Sequence, residues 1–281
     1  MSAILIKKIP EWADGLTVND YVSNYQVARK TRYILAKDFI LLNHVKASGD
    51  TMLHENDELS IDFTSMLREH PRVINDTEIK IIYEDDDLIV VEKPHDLLVY
   101  DDGNQKDNLT GRVAYYFEKK EYPFPVFPIH RLDEQTSGMI LFAKHPLALS
   151  YMSHLFESKN IEKVYECVVA GKLDKKKMTI TSSIVQDRHQ AKMRVDIKGD
   201  DAVTHLEVIE ENNHTSRLNV MIESGKKHQI RVHLSDMRHA IIGDDLYQGR
   251  HHDRLLLHFK KVTFIHPETH QEMTISSPVP F

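Results

Sequence analysis

Short runs in which apolar and polar residues alternate dominate the chain after residue 163. They cover residues 164–169, 178–184, 191–197, 203–209 and 218–222, with turns between them at the spacing of successive β-strands. Few helical patterns interrupt these runs, which favours a mixed, largely antiparallel sheet over a doubly wound parallel sheet. The pattern therefore predicts an α+β fold in which helices flank a central sheet.

The part of the chain before residue 164 combines strands with helices. Residues 79–83 and 87–92 predict the first two strands of a large domain, and the continuous apolar run at 139–143 predicts a buried strand. A helix is predicted at 109–119, and another begins at Pro146, because proline suits the first turn of a helix. We expect one large domain over residues 79–281.

A smaller unit is predicted at residues 1–65. Residues 3–9 form a candidate strand, Thr17 caps a first helix, and residues 31–36 form a second helix. Two candidate strands follow at 39–45 and 58–63, with turn residues at 48–50 between them. Polar residues and Pro71 make residues 66–78 a linker.

This small unit resembles the α-L RNA-binding module of several ribosomal proteins, in which two helices precede a small hairpin. The resemblance implies that basic residues of the helices contact RNA, and Arg29 and Arg32 are the candidates. Glu55, Asp57 and Glu58 offset the basic charge. A small packing domain without an RNA role is therefore the alternative.

Charge is unevenly distributed along the chain, although the net charge is −7. Ten acids lie within residues 76–102, whereas nine bases lie within residues 159–194. This segregation suits a protein that presents one face to a polyanion, and the net charge argues against indiscriminate coating of nucleic acid. Two solvated faces without any partner would produce the same pattern.

The cysteine content and the first residues indicate the compartment. Cys167 is the single cysteine, so it forms no internal disulfide and the chain has no thiolate-cluster metal site. We expect a buried free thiol. The apolar stretch at residues 3–6 is too short for a secretory signal or a membrane span, so we expect a cytoplasmic protein that binds no membrane.

Candidate chemistry is concentrated at residues 130–144, where Arg131 and Asp133 precede a turn and the apolar run. Gly138 can adopt positive φ, so Asp133 would lie on a rigid corner. From composition alone, a turn-forming aspartate is the simpler interpretation. The pattern H-R-L-D-x-x-T-S-G, however, resembles the active-site motif of the RluA-type pseudouridine synthases, which isomerise uridine in RNA.

Three further stretches resemble the same family. They are the K-x-Y strand at 163–165, the G-K-K-H-Q-I-R segment at 225–231 followed by I-I-G-D-D-L-Y at 241–247, and the closing elements at 257–259 and 264–269. Lys226 stands where the family usually has arginine, and Tyr100-Asp101 stands where it usually has His-Pro. The four matches occur in the family's order and span most of residues 79–281.

The resemblance implies a role for each matched side chain. Asp133 would act on the ribose as a nucleophile or by stabilising an oxocarbenium-like centre, and Tyr165 would stack on the target uracil. If the segment that contains Arg231 is helical, Ile230, Leu234 and Met237 form an apolar stripe that anchors it. Arg231 would lie beside this stripe, where it could pair with Asp133 and keep it ionised. Arg131 would fill the place of the flipped base. Further RNA contacts are expected from Lys163, Lys226, Lys227 and His228.

We expect a monomeric enzyme that acts on structured RNA, either rRNA or tRNA, and the resemblance implies that it uses no metal or organic cofactor. The eighteen histidines suggest a metal-dependent hydrolase, but none of the candidate pairs has metal-ligand spacing with a catalytic acid. A nucleoside hydrolase would need a second positioned carboxylate. A catalytically silent RNA-binding protein on the same scaffold would be expected to lack Asp133, Tyr165 or Arg231.

Overall fold

The computed structural model describes residues 2–67, 75–101, 103, 107–188, 190 and 192–281. The helices are α1 (Val18–Asn24), α2 (Arg29–Asp38), α3 (Leu109–Lys119), α4 (Pro146–Glu157) and α5 (Gln229–Asp236). The strands are β1 (Ile4–Lys8), β2 (Ile40–Leu42), β3 (Val45–Lys46), β4 (Glu58–Asp62), β5 (Lys80–Glu84), β6 (Leu88–Lys93), β7 (Phe127–Pro128), β8 (Ser137–Ala143), β9 (Glu162–Ala170), β10 (Lys177–Thr181), β11 (Ile184–Gln186), β12 (Met193–Val195), β13 (Val203–Glu211), β14 (Thr215–Ile222), β15 (Leu257–Ile265) and β16 (Glu272–Ser276).

The central sheet has the order β10-β13-β14-β9-β15-β8-β6-β5, with β16 paired to β15 and β7 paired to β8. Within the described part of the chain, only the pairing of β8 with β15 is parallel. The predicted α+β fold with a mixed, largely antiparallel sheet is therefore confirmed. Strand β8 lies in the middle of the sheet, and all seven of its residues are buried.

Local sequence explains where the flanking helices begin. Asn108 accepts a hydrogen bond from the backbone N–H of Gly111 at 2.9 Å, which caps α3. Helix α4 begins at Pro146, and the preceding His145 accepts a bond from Ala148 N. Both helices start where the sequence predicts them.

The predicted strand at 178–184 is wrong, because the chain breaks it into β10 and β11. Strand β10 stays in the central sheet, while β11 pairs with β12 in a separate two-stranded sheet. Ser182 and Ser183 lie between the two strands, and the backbone of Ser182 bonds to Ala202 instead. The run predicted at 191–197 shortens to β12, and its first residue lies outside the described residues.

The amino-terminal unit contains a sheet of order β1-β4-β2-β3 together with the helices α1 and α2. Thr17 caps α1 by accepting a bond from Asp20 N at 3.1 Å, as predicted. The strand predicted at 39–45 is wrong: Asn43 and His44 have φ of 50° and 66°, so they turn the chain into a β2–β3 hairpin. Helix α2 is also longer than the predicted 31–36.

The amino-terminal unit packs against the central sheet through buried charges. Lys7 Nζ on β1 lies 2.7 Å from Asp87 Oδ1 and 2.9 Å from Glu268 Oε2. Tyr25 also bonds to Glu268, and the Trp12 indole donates to the backbone oxygen of Glu268 at 2.8 Å. The two units share one continuous apolar core, so the boundaries at 65 and 79 stay a prediction.

Part of the predicted linker, residues 68–74, lies outside the described residues. Cys167 is a buried free thiol, as expected. No described helix has the length and apolar content needed to cross a bilayer.

Candidate active site

Asp133 lies in the loop that enters the buried strand β8, and its side chain is one-fifth exposed. The backbone N–H of Thr136 donates to the carbonyl oxygen of Asp133 at 3.1 Å and closes the turn. Gly138 follows with φ of 131°, a conformation that side-chain-bearing residues rarely adopt. A Cβ at that position would lie 2.5 Å from the backbone nitrogen of Phe259 on β15. The corner is therefore fixed by a close approach between β8 and β15.

Lys93 stabilises the same loop through hydrogen bonds to backbone carbonyl oxygens, although the sequence predicted no role for it. Its fully buried ammonium donates to the carbonyl oxygens of Pro94, Leu97 and Glu134 at 2.9, 2.7 and 2.7 Å. Burial lowers the pKa of Lys93 to about 7, and the nearby Asp133 opposes that shift. Lys93 thus links the end of β6 to the residue that follows Asp133.

Arg231 on α5 reaches the loop from a distant part of the chain. Its Nη1 lies 3.4 Å from Asp133 Oδ2, and its Nη2 donates to Gln135 Oε1 at 2.9 Å. Ile230 and Leu234 are buried, so the predicted apolar stripe does anchor the helix. The structure therefore brings the two predicted charged residues together.

Asp244 is the strongest partner of Arg231, and the sequence analysis quoted this residue without giving it a role. Arg231 donates from Nε to Asp244 Oδ2 at 2.8 Å and from Nη2 to Asp244 Oδ1 at 2.7 Å. Burial by itself would lower the pKa of Arg231, but Asp244 and then Asp133 raise it above its ordinary value. This bidentate pair fixes the plane of the guanidinium, and one edge of that plane faces Asp133.

Tyr165 lies on β9, beside the loop. Its ring stacks on Phe259 at a centroid distance of 4.7 Å and an angle of 22°. Burial raises the pKa of the phenol, and the Asp133 carboxylate raises it further. Tyr165 therefore remains a neutral ring at physiological pH.

His228 immediately precedes α5 and adopts a left-handed backbone with φ of 55°. Its Nε2 lies 3.8 Å from Asp133 Oδ1, and its Nδ1 lies 3.1 Å from the Tyr247 hydroxyl. Burial lowers the pKa of this imidazole, while Asp133 opposes the shift. His228 was predicted only as an RNA contact, but its ring is next to the candidate carboxylate.

These side chains surround one concave site. Asp133, Tyr165, His228 and Arg231 line a cavity of about 80 Å³. A neighbouring cleft of about 450 Å³ shares Asp133, His228 and Arg231 and adds Lys227. Three segments that are far apart in sequence thus meet around a carboxylate held beside an arginine, a histidine and an aromatic ring.

The other predicted RNA contacts are placed differently. Arg131 and Lys227 are exposed at the site, and Lys226 lies beside them and pairs with Asp200 at 2.9 Å. Lys163 is buried, and its ammonium lies 5.5 Å from the centre of the Phe156 ring. A direct RNA contact by Lys163 therefore stays a prediction.

The two candidate contacts on α2 lie in the amino-terminal unit. Arg29 is exposed, and Arg32 donates to the side-chain oxygen of Asn19 at 3.1 Å. Their contact with RNA also stays a prediction.

Asp85, Asp87 and His266 are close enough to share a cation. Hydrogen bonds already occupy these groups: His266 bonds to Asp85 at 2.8 Å, and Lys7 and His145 both bond to Asp87 at 2.7 Å. This cluster joins the two units of the fold and lies apart from the Asp133 site.

Comparison with known proteins assigns this arrangement to a family. Residues 87–236 match the family described as RNA pseudouridylate synthase. A protein of Bacillus subtilis (strain 168), called uncharacterized RNA pseudouridine synthase YhcT, is 34% identical over 248 residues, which cover 86% of this chain and 82% of the relative. Ribosomal large subunit pseudouridine synthase D of Vibrio cholerae serotype O1 is 30% identical over 274 residues, covering 87% and 82%.

Solved structures support the same fold. The human protein RNA pseudouridylate synthase domain containing 1 superposes with a TM-score of 0.62 at 23% identity, over 76% of this chain and 87% of the human chain. The chain belongs to the RNA pseudouridylate synthase family. Within it the chain is of the RluA type, and it is an enzyme that isomerises uridine to pseudouridine in RNA.

Proposed function

We propose that Asp133 is the essential carboxylate of this uridine isomerisation. The reaction breaks the bond from the ribose to uracil N1, turns the base and rejoins it through C5. An ionised carboxylate beside the anomeric carbon acts as a nucleophile or stabilises the cationic centre. The contact between Arg231 and Asp133, 98 residues apart, is the observation that supports this role most directly.

Arg231 orients Asp133 and offsets its negative charge in this proposal. Its guanidinium is locked by Asp244, so it presents its remaining donors without reorganisation when charge develops on the ribose. Because the leaving base is recaptured by the same ribose, no water needs to be activated. The proposed mechanism accordingly assigns no step to a metal or an organic cofactor.

Tyr165 and Arg131 divide the work of base flipping. A uridine inside folded RNA is reachable only when it leaves its stack. The buried ring of Tyr165 lines the cavity and offers a stacking surface to the uracil. Arg131 is exposed at the rim and is available to fill the vacated position in the RNA.

The RNA target is proposed to be ribosomal, because several relatives are named as large-subunit synthases. That substrate would place the enzyme in the cytoplasm, and we propose that it acts as a monomer. Lys226 and Lys227 lie at the edge of the site and would contact the RNA backbone around the flipped uridine. The amino-terminal unit, with Arg29 exposed on α2, would extend the RNA-binding surface.

Release of tritium from C5-labelled uridine in RNA tests the proposed chemistry. Asp133→Asn should abolish release while the affinity for RNA persists, because the amide keeps the shape but neither attacks nor carries charge. The matched control is Glu134→Gln, which alters the adjacent exposed carboxylate. Undiminished release by Asp133→Asn would refute the assignment.

The same assay separates a catalytic from a binding role for Arg231. For Arg231→Ala we expect the rate to fall much more than the RNA affinity, because the side chain is buried and faces Asp133. Equal losses would make Arg231 a phosphate contact.

A further inference from the structure

The ring of His228 is placed for a task that phosphate contact does not require. It lines the same cavity as Asp133 and Tyr165, and one face of that cavity must receive the uracil if the proposed function holds. The distance of 3.8 Å between His228 Nε2 and Asp133 Oδ1 is longer than a hydrogen bond. His228 therefore lines the cavity, and its Nε2 makes no hydrogen bond to the Asp133 carboxylate.

The Tyr247 hydroxyl is the hydrogen-bond partner of His228 Nδ1. The Tyr247 hydroxyl donates its one hydrogen to the carbonyl oxygen of Met193 at 3.2 Å and accepts the N–H of Met193 at 2.8 Å. The same hydroxyl lies 3.1 Å from His228 Nδ1 and can accept a proton carried by that nitrogen. In the tautomer of neutral His228 that donates from Nδ1 to Tyr247, the lone pair on Nε2 is open.

The surroundings favour the neutral ring. Burial lowers the pKa of His228, Asp133 and Asp244 raise it, and the cations Arg231 and Lys227 lower it. Because the net direction is downward, the imidazole is available as a base at physiological pH.

The isomerisation contains one proton transfer for which the described roles name no acceptor. When the uracil rejoins the ribose through C5, that carbon still carries its hydrogen, and the ring regains aromatic conjugation only when the proton leaves. We propose that His228 Nε2 accepts this C5 proton, an inference that rests on the function proposed above. The electrons of the C5–H bond then form the C5–C6 double bond, those of the C6–N1 double bond move to N1, and N1 takes a proton from water or from the imidazolium. Charge and protons balance without an added reagent.

Substitution at this position must respect the left-handed backbone. Asparagine adopts positive φ more readily than other non-glycine residues, so His228→Asn keeps the start of α5 and removes the base. His228→Gln is a second variant, which also removes the imidazole but places its amide oxygen one methylene group farther from the backbone than asparagine does. The control is His214→Gln, which changes an exposed histidine in the turn between β13 and β14.

The experiment compares single-turnover pseudouridine formation on RNA carrying either ordinary uridine or uridine deuterated at C5. For both His228 variants we expect the rate to fall about 100-fold, the contribution typical of a positioned general base. We also expect the ratio of the hydrogen to the deuterium rate to rise above that of the wild type, because loss of the C5 proton becomes rate-limiting. His214→Gln should match the wild type in rate and ratio.

The outcomes separate the two proposals. An inactive wild-type protein, or an active Asp133→Asn variant, contradicts the proposed function itself. A wild type that is active, with His228 variants that lose RNA affinity or lose rate at an unchanged isotope ratio, overturns the role of His228 alone. Nitrogen-15 NMR of protein labelled at its histidines gives a second readout. A proton on Nε2 rather than on Nδ1 of neutral His228 would also overturn the proposed role of His228.

Discussion

Arg231 is bound more tightly to Asp244 than to Asp133. Two hydrogen bonds of 2.7 and 2.8 Å join the guanidinium to Asp244, whereas the nearest oxygen of Asp133 lies 3.4 Å from it. Both Asp244 and Arg231 are almost fully buried, so each depends on the other for compensation of its charge. Asp244 thus fixes the position of the Arg231 guanidinium beside Asp133.

Removal of Asp244 should therefore destabilise the fold as well as the activity. We expect Asp244→Ala to lower the free energy of unfolding by about 3–5 kcal/mol, because it removes the bidentate carboxylate from a buried guanidinium. Urea denaturation measures this change. The neighbouring Asp245→Ala alters an exposed carboxylate and should change stability by less than about 0.5 kcal/mol. Equal, small effects of the two substitutions would contradict the dependence of Arg231 on Asp244.

Gly138→Ala tests the corner that holds Asp133. The new Cβ would lie 2.5 Å from Phe259 N, and the φ of 131° adds backbone strain. We expect a loss of more than about 2 kcal/mol in unfolding free energy together with a loss of activity. Gly15→Ala is the control, since Gly15 also has positive φ but nothing lies within 4 Å of its added Cβ. If the two variants were equally stable, the contact with Phe259 would not fix the corner.

Tyr100 holds Arg131 in place before RNA arrives. Arg131 Nη1 donates to the Tyr100 hydroxyl at 2.9 Å, and the guanidinium lies 5.4 Å from the ring centre. We expect Tyr100→Phe to slow single-turnover conversion about five-fold, the equivalent of ~1 kcal/mol for one hydrogen bond. In an Arg131→Ala background the same change should have no further effect. Additive losses would show that Tyr100 acts independently of Arg131.

Acid should destabilise the protein before its carboxylates titrate. Burial lowers the pKa of His258, between Ser137 and Ser277, to about 4. A folded pKa below the unfolded value of about 6.5 means that stability is full above pH 6.5 and is lost as the pH falls toward 4. Unfolding free energies measured from pH 7 to pH 4 should show this decline. The decline should be shallower in His258→Gln, and an unchanged slope would contradict the prediction.

Lys7 should be essential for docking of the amino-terminal unit. Lys7→Met leaves Asp87 and Glu268 without their cation, and we expect a loss of about 3–5 kcal/mol in unfolding free energy. Lys8→Met, which removes an exposed charge from the next position of β1, should be nearly neutral. Limited proteolysis between the two units checks the docking directly. No difference between the variants would mean that apolar packing alone holds the unit.

Sequence was informative where local chemistry decides the structure. Helix α3 matches its prediction because a cap and an apolar face act within eleven residues. The motif residues Asp133, Tyr165 and Arg231 were found by resemblance, and their meeting could then be anticipated. The hairpin at Asn43 and His44 was missed because neither residue is the glycine that usually marks positive φ.

The roles of residues that depend on partners far away in the sequence could not be predicted from local sequence. A lone Lys7 on an alternating strand looks solvated, since its partners are 80 and 261 residues away. Lys93 directly follows the predicted strand at 87–92, and Asp244 lies in the G-D turn of the I-I-G-D-D-L-Y motif. A charged residue inside an otherwise apolar or tightly turning stretch was the available signal for both.

The parallel contact between β8 and β15 also has a consequence for biosynthesis. Gly138 and Phe259, which meet there, are far apart in the sequence. The corner that carries Asp133 is translated well before β15, the strand that supports it. The proposed site is therefore complete only after β15 has been translated, and an incomplete chain that ends before β15 lacks the contact that fixes the Asp133 corner.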